Sequence, residues 1–332
     1  MKRLVILAPN WLGDAVMALP AIADVRRASP GVSIAVAARG AIAPLFSLVP
    51  GIDETIVLRR PATVGRVGGW RSIGAELAGR DFDTALLLPN SMHAALVAAR
   101  AGIPERWGYR SGWRGRLLTR AVRRPGKLHQ AAYYQHLVEA LGFPSGSMEP
   151  RIVVPDAARE AAARILGTAG WDGKAPLVAL APGAAYGGAK RWPPAYFAEL
   201  ATSLAVDGVT CVLLGSPADA PTAIEIKSLF SGILDIVGQT DLPALAGVMT
   251  LCRGLVTNDS GAMHLAAAAG TSVTAVFGPT NEAATRPIGD AHVVLTNPVW
   301  CRPCMLRECP IDHRCLRGIP AARVAEAARR TL

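Results

Sequence analysis

No apolar run in this 332-residue sequence approaches the ~18 residues that a membrane-spanning helix needs. The first such run, in MKRLVILAPNWLGD, breaks at Pro9, Asn10, Gly13 and Asp14. It is too short for a signal peptide and reads as the first strand of a cytoplasmic protein. Charged residues make up only 18% of the chain and apolar ones 51%, which excludes a disordered polar chain. At this length the buried surface is expected to divide between two domains of ordinary size. Acids are scarce beside bases, 25 against 35, and the net charge of +10 calls for anionic partners. There is no Walker A loop, no strand–GxGxxG–helix fingerprint and no short-period repeat.

The positive surplus is local. Nine bases lie between Arg100 and Lys127 (among them Arg110, Arg114, Arg116 and Arg120) against one acid, Glu105. Trp107, Tyr109 and Trp113 are interleaved. Such a patch suits nucleic acid, an anionic glycolipid, a membrane surface, or simply a solvated basic face.

Apolar strands alternate with helices along the chain. Strands are expected at Arg3–Ala8, Val32–Ala38, Thr55–Leu58 and Thr84–Leu88, with helices at Ala15–Arg27, Trp70–Ala78, His93–Arg100 and Gln130–Leu141. Gly142–Pro155 reads as a linker. A second alternation runs from helix Ala157–Leu166 through strands Leu177–Ala181, Val209–Leu214, Leu255–Thr257 and Val273–Phe277. Helix Ala321–Arg330 closes it. Continuous apolar strands between helices imply parallel sheets covered on both faces. Two doubly wound α/β domains result, with ligands expected in a cleft between them, at the carboxyl ends of the strands.

Three loops carry candidate chemistry. Asn10–Asp14 follows the first strand; Asp14 is either a helix cap or a general base for a sugar hydroxyl. Its helix start favours the carboxylate, whereas a dry cleft raises its pKa. Pro182–Pro193 (PGAAYGGAKRWP) follows a buried strand. Its glycines with Lys190 and Arg191 suit a phosphate, unless Trp192-Pro193 merely seats the next helix. Thr257–Gly270 (TNDSGAMHLAAAAG) joins a strand end, a polar turn and an Ala-rich helix start, an anion site fit for a diphosphate or else an ordinary cap. His264, one turn into that helix, points to a ligand or packs. The Asp81-Phe82-Asp83 triplet reads as a solvated turn. Cys301, Cys304, Cys309 and Cys315 enclose His313; they are either zinc ligands or reduced thiols of a Pro-rich loop.

Taken together, NWLGD, PGAAYGGAKRWP, NDSGAMHLAAAAG, FGPTNE at 277–282 and CRPCMLRECPIDHRC at 301–315 resemble the lipopolysaccharide heptosyltransferases of glycosyltransferase family 9. The Cys-rich tail and NWLGD favour the second heptosyltransferase over the first. The resemblance implies a GT-B fold: residues 1–155 for the acceptor, 156–317 for the nucleotide sugar, and a closing segment, 318–332, packed back toward the N-terminal domain. It implies an inverting, metal-independent transfer of L-glycero-D-manno-heptose from ADP-heptose to the heptosyl-Kdo-lipid A inner core. Asp14 would be the base, and Lys190 would stabilise the departing ADP. Gly183, Ala184, Asp259, Ser260, Gly261, Ala262 and His264 would hold the donor, with Asp219, Thr240 and Leu242 toward its ribose and adenine. Asn10, Trp11, Gly13, Arg110, Arg114, Arg116 and Arg120 would meet the acceptor. No cofactor is required, structural zinc remains an alternative at the cysteines, and no nucleic acid is expected. The protein would sit peripherally on the cytoplasmic face of the inner membrane. The first heptosyltransferase, another GT-B nucleotide-sugar enzyme and a basic nucleic-acid-binding module are the other readings.

Overall fold

The computed structural model describes residues 1–59 and 69–330. The chain divides after Pro150 into two units. The first contains β1 (Arg3–Leu7), α1 (Leu12–Met17), α2 (Leu19–Ala28), β2 (Ser33–Arg39), β3 (Glu54–Leu58), α3 (Gly69–Ala78), β4 (Thr84–Leu87), α4 (Met92–Arg100), β5 (Glu105–Tyr109), β6 (Arg120–Val122) and α5 (Gln130–Ala140). Its six strands are all parallel, in the order β3-β2-β1-β4-β5-β6. β1 and β4 are apolar almost throughout because helices cover both faces of the sheet.

Two differences from the expected elements have local causes. The helix expected over Ala15–Arg27 is two helices meeting at Ala18, and Pro20 falls in the first turn of α2, where its missing N–H is not needed. β5 and β6 lie inside the basic segment. β5 reads Glu-Arg-Trp-Gly-Tyr, which shows no apolar run, yet Trp107, Gly108 and Tyr109 are buried.

The second unit contains α6 (Asp156–Thr168), β7 (Leu177–Ala181), α7 (Pro194–Val206), β8 (Thr210–Leu213), α8 (Ala220–Leu229), β9 (Leu234–Asp235), α9 (Leu242–Leu251), β10 (Gly254–Asn258), α10 (Gly261–Ala268), β11 (Ser272–Phe277), α11 (Glu282–Thr285), β12 (His292–Thr296), α12 (Arg314–Arg317) and α13 (Ala321–Arg329). Its parallel sheet runs β12-β11-β10-β7-β8-β9, the same topology as the first. The unit begins at Arg151, earlier than the expected residue 156. The Ile152 N–H donates to the Ala268 carbonyl at 3.0 Å, which ties this stretch to α10.

The closing helix α13 packs on α7, β10 and β11 of its own unit. Val324, Ala325 and Ala328 form one apolar face of it, buried in a core with Trp192, Phe197 and Leu316. Residues 331–332 of the expected closing segment lie outside the described residues.

In both sheets the strand order reverses direction at one place, between β1 and β4 and between β7 and β10. Loops leaving the carboxyl ends of strands beside such a reversal diverge and leave a crevice, where doubly wound folds bind ligands.

Candidate active site

In the first unit, the loop after β1 carries the NWLGD residues to the reversal point. Asn10 and Trp11 are exposed, Gly13 is half-buried, and Asp14 sits in the first turn of α1. Trp11 takes the cap position without a side-chain bond, and Asp14 follows three residues on. Its carboxylate lies near Tyr134 of α5. Burial first, and then the charge of Asp14, push the Tyr134 phenol above its ordinary range. A helix start favours the Asp14 carboxylate. Asp14 is thus a half-buried acid at the point where a ligand would lie.

In the second unit, the loops after β7 and β10 flank the reversal and are tied together. Asn258, fully buried, donates from Nδ2 to the Pro182 carbonyl at 2.6 Å and accepts the Trp192 N–H at 2.9 Å. Lys190 Nζ donates to Asp259 Oδ2 at 2.5 Å; their side chains are 12% and 7% exposed. The Thr280 hydroxyl donates to the same oxygen at 2.7 Å. The Tyr186 ring lies 4.7 Å below the ammonium. Beside this knot α10 begins: Ser260 is its cap residue, and Gly261 and Ala262 open its first turn half-buried. Backbone N–H groups at a helix start favour an anion. His264 is buried one turn further on.

The expected nucleotide residues form a neighbouring group. A Cβ on Gly183 would stand 2.5 Å from Asp219 Oδ1, so this glycine is what lets the Asp219 carboxylate approach the loop after β7. Asp219 Oδ2 accepts from the backbone and hydroxyl of Ser216 at 2.9 and 2.8 Å. The Gly238 N–H donates to the Gly215 carbonyl, which brings Thr240 and Leu242, both half-buried at the start of α9, to the same edge. Ala184 is buried beneath its loop.

The basic segment is not one patch. Arg110 and Arg116 are exposed in the loop after β5. Arg114 differs from expectation: it is 1% exposed and donates to the Pro89 carbonyl. Gly108 makes room for it, because a Cβ there would meet the guanidinium at 2.8 Å, and burial lowers the Arg114 pKa. Arg120 opens β6 at the opposite edge of the sheet, stacked 5.0 Å over Trp107.

The Cys-rich segment is a buttress. Tyr186 donates to the Met305 carbonyl, the Ala189 N–H to that of Arg307, and the Gly188 N–H to Glu308. Arg302 donates to the Gly278 and Thr280 carbonyls and pairs with Glu282 at 2.6 Å. Burial alone would raise the Glu282 pKa; the hydrogen bond from Arg302, a backbone N–H bond and the Arg302 charge together outweigh it and hold the carboxyl below its usual range. Cys315 is in the core, whereas Cys304 is exposed. Among the described residues no group of three or more His, Cys, Asp or Glu side chains is placed to hold a metal ion. The sequence singled out the FGPTNE and Cys-rich segments without a task for Thr280 or Arg302. Their part comes from long-range contacts that no local pattern encodes.

The family model for glycosyltransferase family 9 (heptosyltransferase) matches residues 70–314. Lipopolysaccharide heptosyltransferase 2 of Escherichia coli (strain K12) is 30% identical over 305 residues, 86% of this chain and 85% of the relative. Lipooligosaccharide heptosyltransferase 2 of Haemophilus influenzae is 28% identical over 305 residues, 88% of each. The solved structure of E. coli ADP-heptose lps heptosyltransferase II superposes with a TM-score of 0.83 at 29% identity, covering 100% of this chain and 98% of that one. The expected GT-B fold is therefore observed. The chain belongs to glycosyltransferase family 9, the heptosyltransferases.

Proposed function

We propose that this protein transfers a heptose from ADP-heptose to the mono-heptosylated Kdo-lipid A inner core. The observation that carries this reading is the second unit's anion site. A buried lysine and a helix start stand beside the strand-order reversal, with an acidic and a glycine loop next to them for the nucleoside. Relatives named heptosyltransferase 2 along most of the chain support the choice of donor and acceptor.

The mechanism follows from where charge develops. The acceptor hydroxyl attacks C1 of the heptose opposite the diphosphate. A new C1–O bond forms, the C1–O(phosphate) bond breaks, the proton goes to Asp14, and ADP leaves with the electron pair. Lys190 has three N–H donors, two of which point at Asp259, leaving one for a phosphate oxygen. Ser260, Gly261 and Ala262 offer backbone N–H groups to the other oxygens. Stabilising charge that grows only in the transition state contributes several kcal/mol. Asp259 and His264 face the donor, Asp219, Thr240 and Leu242 its nucleoside, and Asn10, Trp11, Gly13, Arg110 and Arg116 the acceptor. Arg114 supports that site from beneath. The reading needs no metal. Among the described residues no helix is long and apolar enough to cross a membrane. A lipid-linked acceptor would bring the protein to the cytoplasmic face as a peripheral enzyme.

Calorimetric titration with ADP, UDP and GDP tests the donor side. ADP should bind best, and more weakly to Lys190→Ala. Preference for UDP or GDP would reassign the protein to another nucleotide sugar.

A further inference from the structure

The first sheet separates charge between its two edges. Acids gather where strands begin: Asp53 and Glu54 at β3, Asp81 and Asp83 at β4, Glu105 at β5. Bases share that edge and pair with them, as in Arg26–Asp53 and Arg80–Glu54. The edge where strands end is different. In the loops after β1, β4, β5 and β6, taken with the first turn of the helix that follows, Asp14 is the sole acid among the described residues. Arg110 and Arg116 follow β5, and Arg123, Arg124 and Lys127 follow β6, all exposed. Arg123, Arg124 and His136 line a recess of about 500 Å³ there.

Exposed apolar side chains stand on the same edge. Trp113, after β5, is 72% exposed, and Leu128, after β6, is 43% exposed. Trp11 and Met92 are exposed after β1 and β4. The Arg116 guanidinium stacks 4.3 Å over the Trp113 ring, so a cation and an aromatic are presented as one group. Aromatic and aliphatic tips among unpaired cations suit a bilayer surface: the rings enter the headgroup region and the cations meet anionic phosphates. Nucleic acid would use the cations and Trp113 but gives Leu128 and Met92 no partner.

We propose that this edge docks the protein on an anionic lipid bilayer, with Trp113 and Leu128 entering the interface. The inference rests on the functional reading only for the lipid nature of the acceptor.

Vesicles of phosphatidylcholine, with and without phosphatidylglycerol, test it by co-sedimentation. Full-length protein should bind the anionic vesicles only, and less as salt rises. Replacing Arg123, Arg124 and Lys127 together by Gln should weaken partitioning roughly a hundredfold, at about fivefold per cation. Trp113→Ser should remove most of the fluorescence quenching by brominated lipid. Both variants should keep transfer to a deacylated, water-soluble acceptor, which also shows that they fold. No binding to anionic vesicles, or binding unchanged by the triple replacement, would overturn the proposal. So would an oligonucleotide that binds more tightly through the same residues. If vesicles bind as expected but no form of the protein glycosylates the soluble acceptor, the functional reading fails and the docking surface stands.

Discussion

At the scale of single residues, the account assigns separable tasks. Asp14→Ala should abolish transfer while ADP binding stays within about twofold, because the base does not touch the nucleotide. Normal turnover in that variant would remove Asp14 as the base. Lys190→Ala should lower kcat by roughly a hundredfold or more, as removal of one transition-state donor does elsewhere. It also leaves Asp259 buried beside Thr280 without its cation, so thermal stability should fall too. Gly183→Ala should weaken ADP binding without unfolding the protein, because its Cβ would displace the Asp219 carboxylate. Unchanged ADP affinity there would detach Asp219 from the nucleoside. Residue positions were legible in the sequence where a loop follows a buried strand, as for Asp14, Lys190 and Asp259. They were not legible in the basic segment. Its composition is uniform, but Arg114 turns inward over Gly108 and Arg120 points to the other edge, because two strands alternate within it.

At the scale of elements, the Asp81-Phe82-Asp83 turn has a structural task. Asp83 accepts from the backbone N–H groups of Lys2 and Arg3 and from the Thr84 hydroxyl, and so fastens the start of β1 to β4. Burial alone would raise its pKa, but these bonds to the charged form win and hold it below the usual carboxylate range. A depressed pKa contributes stability above the ordinary value, and that stability is lost as pH falls through the folded value. Asp83→Asn should therefore cost roughly 1–2 kcal/mol at neutral pH, and its gap from the parent should narrow below about pH 4. Urea unfolding at both pH values checks this; a gap independent of pH would place the effect elsewhere. Long elements such as β1, β10 and α10 were readable because burial dictates their apolar runs. β6 and the two-residue β9 were not, since edge strands expose one side and need no such run, and β5, an inner strand, opens with Glu105 and Arg106 and so shows no apolar run either.

At the scale of the whole molecule, repetition of one strand order in both units was foreshadowed by two matching alternations of strand and helix. The docking of the Cys-rich segment on the Lys190 loop and of α13 on its own unit was not, because such packing depends on residues more than a hundred positions apart. Fully buried Trp192 gathers several of these threads, since its indole N–H donates to the Ile319 carbonyl and its backbone N–H to Asn258. Trp192→Ala should cost about 3–5 kcal/mol, as truncation of a large core side chain does. The central claim is heptosyl transfer, and product mass is its most direct test. Purified protein is incubated in EDTA with ADP-heptose and either Kdo-lipid A or its mono-heptosylated form. A single heptose added to the mono-heptosylated acceptor alone is the expected result. Transfer only to bare Kdo-lipid A would make it the first heptosyltransferase, and no transfer to either by folded protein, with metal restored, would contradict the account.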